Sequence, residues 1–411
     1  MSNATRMTTG LAAAGVLFGT MGALPEAAGA DPAPVPVTER VSVDREGAQL
    51  AEPSYDPDMG EGRITAFTAE GPLWQQDTNG KPDVHKVQNS GTGPVSGWPD
   101  GPSYDGSPCA SGRMTGFVSE STDVTTRPLP DRRPVVYVHN TAQGKYSWVR
   151  GYQGVLFASA GQPTVDPHCQ WLTFTATLPP AGPGEQPRSH VYRFVFNGGT
   201  VDRVSDASPG AGDASDPDIS AGGRYVAYEQ GGEVHVRDMD TGTVEKASVA
   251  RDGGAADGTS SAPSLSADGR RVAFASRASN LVDGDRNGGV DVFVRDLDTG
   301  VTTLVRGPAK KSWTAEPSLS ADGTHVAYTA ARTTGGTKNR VPSVYLRELT
   351  TGKTQLISVD LKGGRNDLAA RNPSVNADGG VVAFDSASSD LVSGDTNGVS
   401  DVFLRTVKNS Q

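Results

Sequence analysis

The chain has 411 residues, a formal net charge of −10, and 51 glycines with 28 prolines against 35% hydrophobic residues. Glycine and proline at this level break long helices and suit many short strands joined by tight turns. The acidic balance leaves no basic face for phosphate or anionic lipid, so nucleic acid is excluded as an expected partner.

Residues 1–30 carry Arg6, an apolar stretch from Leu11 to Phe18 and the small residues Ala28, Gly29 and Ala30. These are the parts of a signal peptide cleaved near Ala30, so the expected product is secreted, to the extracellular space or the periplasm. No later apolar run is long enough for a transmembrane helix. Residues 31–36 read as a Pro-rich linker, and the expected folded domain is 37–411.

The segment Val37 to Asp44 (VTERVSVD) has strand character but no partner nearby in sequence. Beyond it a repeat begins. Pro263 to Phe274 (PSLSADGRRVAF) recurs at Pro317 (PSLSADGTHVAY), Pro373 (PSVNADGGVVAF) and Pro217 (PDISAGGRYVAY). Diluted copies start at Pro163, Pro102 and Pro53, so seven units follow one another at intervals of 46 to 61 residues. The unit at Pro263 divides into Ser264 to Ser266, Arg271 to Ser276, Asp291 to Asp296 and Val301 to Arg306, each bounded by turn residues. Four antiparallel strands make a blade, and blades packed radially bury both faces of each sheet. The predicted fold is all-β, a seven-bladed β-propeller of four-stranded antiparallel blades; the alternative is six blades with an irregular N-terminal segment. The last unit stops after its third strand, Asp401 to Arg405, and Val37 to Asp44 resembles the fourth strands of other units. It is read as the outer strand of the last blade, closing the ring; otherwise it is an unattached arm.

The pattern PSLSADGxxVAF followed by Asp291 to Gly300 (DVFVRDLDTG) resembles the PD40, WD40-like repeat of TolB-like propellers. The resemblance is strong at Pro263, Pro317 and Pro373, good at Pro217 and weak in the first three units. It implies a propeller of six to eight blades used for protein contacts. No counterpart of the TolB amino-terminal α/β domain precedes the first unit, so TolB's own partners are not carried over.

The loop Asp283-Gly284-Asp285-Arg286-Asn287-Gly288-Gly289-Val290-Asp291 has oxygen side chains at positions 1, 3, 5 and 9 and Gly at position 6, like the front of a calcium loop. Blade seven repeats it with Ser393, Asp395, Asn397 and Asp401, and blade one with Gln75, Asp77, Asn79 and Asp83. The twelfth-position Glu of an EF-hand is missing, and Asn-Gly is also the commonest hairpin turn. Two readings therefore stand for these loops, Ca2+ or turn chemistry.

Cys109 and Cys169 are the two cysteines, both in turns between first and second strands of adjacent blades. In an exported protein they are expected to form a disulfide, the alternative being two buried thiols. No catalytic motif is present. The resembling propeller lyases cluster histidine ligands at the channel, whereas His85, His139, His190 and His235 fall at third strands here. Trp98, Lys310, Trp313, Arg365 and Arg371 gather on loops of one face and read as a binding face. The functional expectation is a non-catalytic, monomeric scaffold for a protein or cell-envelope ligand. The alternative is a propeller-fold enzyme, a polysaccharide lyase or hydrolase, acting at the channel mouth.

Overall fold

The second strand of every blade places an aromatic directly after a small residue, and that aromatic packs inside the blade. In the computed structural model, which describes residues 37–407 except 89–90, 127–128, 130, 181, 183, 185, 209, 286 and 333–339, these aromatics are Phe67, Phe117, Phe174, Tyr228, Phe274, Tyr328 and Phe384. All are buried. Each faces a ring across the ladder in the third strand: His85, Tyr137, Tyr192, His235, Phe293, Tyr345 and Phe403. The ring centroids lie 5.5 to 6.0 Å apart in all seven pairs. Such cross-strand aromatic pairs stabilise a sheet beyond their buried area.

These pairs belong to seven four-stranded antiparallel sheets, so the chain forms a seven-bladed β-propeller. Blade five shows the plan: Ser260–Leu265 nearest the channel, then Arg271–Ser276, Asp291–Asp296 and the outer strand Val301–Val305. The inner strand starts earlier than the predicted Ser264, because the repeat's proline sits inside it at a bulge. One short hairpin, Gly151–Tyr152 with Val155–Leu156, is added between blades two and three.

There is no single core. Seven hydrophobic clusters each join two neighbouring blades, and together they complete the ring. Closure uses Thr38–Arg40, which pairs with Asp401–Thr406 in the register Thr38↔Arg405, Glu39↔Leu404 and Arg40↔Phe403. The hydrogen bonds Val41 N to Val402 O (2.9 Å) and Thr406 N to Val37 O (3.0 Å) extend it. The closing segment is thus the outer strand of blade seven, shorter than Val37 to Asp44 because the chain turns away after Ser42. This pairing covers an edge that would otherwise be open to other chains.

The expected leader and linker, 1–30 and 31–36, lie outside the described residues. No helix among the described residues is long and apolar enough to cross a membrane.

Candidate functional site

All seven inner strands break register at the same place, between Tyr55/Asp58, Tyr104/Ser107, Gly161/Thr164, Ser215/Asp218, Ser261/Ser264, Ala315/Ser318 and Arg371/Ser374. A non-glycine residue with left-handed backbone stands at each break: Asp56, Asp105, Gln162, Asp216, Ala262, Glu316 and Asn372, with φ between 49° and 54°. Except after Asp105, a proline follows, and at a bulge its missing N–H costs no ladder bond. Bulges that re-aim side chains beside functional sites are common, and these lie around one mouth of the channel.

Below the bulges, a belt of side chains ties neighbouring blades together at five of the seven seams. Met59 N donates to Ser374 Oγ (3.0 Å), Val375 N to Ser318 Oγ (3.0 Å), Leu319 N to Ser264 Oγ (2.9 Å), Leu265 N to Asp218 Oδ2 (2.6 Å) and Val165 N to Ser107 Oγ (3.2 Å). The belt surrounds a cavity of about 140 Å³ lined by all seven blades.

The mouth itself is acidic. Asn372 Nδ2 donates to both Asp56 Oδ1 and Asp385 Oδ2, each at 2.8 Å, and Asp56 N also donates to Asp385 Oδ2 (3.2 Å). Glu316 accepts from Arg371 (3.2 Å), Asn372 N (3.1 Å) and Thr329 (2.7 Å). Burial pushes the Asp385 carboxyl up to about 7, with Asp56 and Glu316 adding repulsion against hydrogen bonds from Asn372 and Asp56 N. Burial also raises Asp56, helped by Glu316, and Asp105, helped by Asp56. Deeper in, burial raises Asp58 and takes Asp218 to about 6. None of these channel carboxylates was singled out from the sequence. The signal available was the X-Pro step inside six of the seven first strands, which marks a bulge rather than the start of a strand.

In the three Asn-Gly loops the same fasteners recur. The Asn side-chain oxygen accepts from the backbone N–H two residues on, in Asn79 (2.7 Å), Asn287 (2.8 Å) and Asn397 (3.2 Å). Its amide donates to Pro99 O, Ser312 O or Leu50 O at 2.9 to 3.0 Å. Asp283 was expected to join the group in blade five but is turned outward, largely exposed and ion-paired with Arg251. What converges in each loop is a pair of carboxylates, Asp77 with Asp83, Asp285 with Asp291, and Asp395 with Asp401. Burial takes Asp83 and Asp291 up to about 7, their partners adding repulsion, and also raises Asp77, Asp285 and Asp395. Among the described residues, no three His, Cys, Asp or Glu side chains form a metal-holding group.

Cys109 and Cys169 form a disulfide between blades two and three, with their Cα atoms 5.2 Å apart. The histidines do not reach the channel lining. His85 and His235 fill the ring position that Tyr or Phe fills in the other blades, and burial holds His85 down at about 3, hence neutral. The residues of the expected binding face differ in exposure and in partners. Trp98 is exposed, Arg365 is half-buried and bonded to Val341 O (2.7 Å), and Arg371 is spent on Glu316. Lys310 is exposed beside blade five and Trp313 is half-buried.

No family model matches the sequence, and no curated protein matches it. Solved structures do. An oligogalacturonate lyase from Vibrio parahaemolyticus is 13% identical with a TM-score of 0.57, over 92% of this chain and 98% of that one. A puromycin-hydrolyzing peptidase from Mycobacterium tuberculosis is 13% identical with a TM-score of 0.56, over 89% of this chain and 55% of that one. The β-propeller domain of the trilobed protease from Pyrococcus furiosus, described as having an open velcro topology, is 9% identical with a TM-score of 0.53, over 88% of this chain and 99% of that domain. At such identities the shared property is the fold, and the chain is a seven-bladed β-propeller whose ring is closed by its own N-terminal strand.

Proposed function

We propose that this protein is a secreted, non-catalytic, monomeric binding module that seats a positively charged group of a protein or cell-envelope ligand at the acidic mouth of its channel. The observation that carries the reading is the cluster of Asp56, Asp105, Glu316 and Asp385: burial raises the proton affinity of Asp56, Asp105 and Asp385, and repulsion from neighbouring carboxylates, Glu316 or Asp56, adds to it. A lysine, arginine or amine placed among them relieves that repulsion, and a rigid ring of bulges holds them in place without further ordering. The same charge opposes a polyanion such as an oligogalacturonate, so likeness in fold to the lyase supports no shared substrate.

The test is binding of a fluorescent oligo-arginine peptide, measured by anisotropy at low and high salt. Salt-sensitive binding that weakens at least tenfold in an Asp56→Asn/Asp105→Asn variant is expected. Equal affinity in wild type and variant, or preference for an acidic peptide, refutes the reading. A hydrolase is favoured by one observation, the two carboxylates on either side of the Asn372 amide, one of them held near neutrality, as paired acids in glycoside hydrolysis are. Turnover of a neutral glycan that Asp385→Asn abolishes would replace the binding module with that enzyme.

A further inference from the structure

The three Asn-Gly loops carry the same carboxylate pair in the same frame; in blade seven a cation from the outer strand bridges the pair, whereas in blade five Arg306, just past the outer strand, attracts Asp285 and Asp291 from the exposed rim of their cavity without bridging them. Arg40 Nη1 lies 3.5 Å from Asp395 Oδ1 and 3.3 Å from Asp401 Oδ2, so a single cationic nitrogen bridges both side chains. Gln49 Nε2 adds a donor at 2.8 Å to Asp395, and Ser42 Oγ one at 2.7 Å to Asp401. Arg40 reaches this place because it stands opposite Phe403, two residues beyond Asp401. The register puts Leu304 in the same position opposite Phe293 in blade five, and Pro94 opposite His85 in blade one. Neither residue carries a charge or a side-chain donor.

In blade five the consequence is visible at Asp291. Asp291 is 2% exposed; the side chains of Asn287 and Thr314 hydrogen-bond to its carboxylate, while its Oδ2 has no partner at full hydrogen-bond geometry among the described residues. With Asp285 and Asn287 it lines a cavity beneath the connection from blade five to blade six, whose wall also carries Arg306, Lys310 and Lys311 at the exposed rim. A buried carboxylate oxygen left unpaired beside a second carboxylate is destabilising unless a proton or a cation meets it. In blade one the counterpart is Asp77 Oδ1, also buried and without a partner.

We propose that blade five, and in parallel blade one, binds a calcium ion between its paired carboxylates, at the place where blade seven seats the guanidinium of Arg40. Calcium fits because all available donors are hard oxygens, and the remaining positions can be taken by backbone carbonyls and water around a loop that imposes no octahedron. Asp285 and Asp291 are the charged ligands in blade five, and Asp77 and Asp83 those in blade one. Blade seven, already neutralised from within, takes no ion.

The test is thermal melting of chelator-stripped protein in about 5 mM calcium against chelator, a concentration above the ~10⁻⁴ to 10⁻³ M dissociation constants of extracellular calcium modules. The wild type is expected to melt several degrees higher in calcium. Asp291→Asn loses at least half of that shift, Asp83→Asn/Asp291→Asn loses nearly all of it, and Asp395→Asn keeps it. Asp285→Asn serves as a second variant should Asp291→Asn not fold. Coincident wild-type curves overturn the proposal, as does a shift that survives in the double variant or disappears in Asp395→Asn.

Discussion

Replacing Arg40 by leucine, the residue that blade five has at that position, tests how the ring is closed. The Arg40 side chain is 12% exposed, and the carboxylates it bridges are 3% and 0% exposed in Asp395 and Asp401. Removing one partner of a buried ion pair costs about 3 to 5 kcal/mol, because the charge left behind is desolvated. Ser42, Gln49 and Asn397 continue to donate to the two carboxylates, which places the loss near the lower end, about 3 kcal/mol. Urea unfolding followed by tryptophan fluorescence reads this as a lower midpoint with an unchanged slope. Asp401→Asn in the same chain removes the stranded charge, so the double variant should recover at least half of the loss, a coupling visible only in the full cycle. Calcium should also recover part of the loss in Arg40→Leu, since blade seven then resembles blade five, and none in the double variant. An Arg40→Leu protein within about 0.5 kcal/mol of wild type, the range of an ordinary surface substitution, would refute this account of the closing strand.

Reducing the Cys109–Cys169 disulfide, which closes a loop of 60 residues, should destabilise the protein by about 4 kcal/mol on the chain-entropy estimate, with the cross-linked peptide found by mass spectrometry before reduction. Quantitative alkylation of both thiols in the unreduced native protein would rule it out. The Asp385 carboxyl is held up to about 7 against an ordinary 3.8, so folding favours its neutral form. Its contribution is therefore fully present below about pH 4 and is lost as the pH rises through about 7. Asp385→Asn keeps an oxygen for Asp56 N and Asn372 Nδ2, and should gain stability over wild type between pH 4 and pH 8, by at most about 4 kcal/mol. A difference that does not change with pH in denaturation series at the two ends would contradict the assigned titration.

Blade number, strand order and most strand limits were legible in the chain itself, because hairpins are local. Asp291 to Asp296 and Arg271 to Ser276 could be marked from alternation and flanking turn residues alone, and the structure has them at those bounds. The closing strand was legible for a different reason: a unit lacking its fourth strand and an opening segment lacking a partner complete one another. What remained hidden depends on register between distant residues. That Arg40 rather than Glu39 or Val41 meets Asp395 and Asp401, the latter 361 residues away, follows from the long-range ladder of the closing strand, and a slip of one residue would put it on the other face. The acidic mouth was hidden likewise, since Asp56, Asp105 and Glu316 look like scattered surface charges until seven bulges turn them toward one axis. His85 and His235 could be placed at third strands from the sequence, but only the ladder sets them against Phe67 and Tyr228. Spacing along the chain specifies hairpins and turns, but only ring closure brings residues from seven blades around one channel, and only there does the burial that shifts their charges exist.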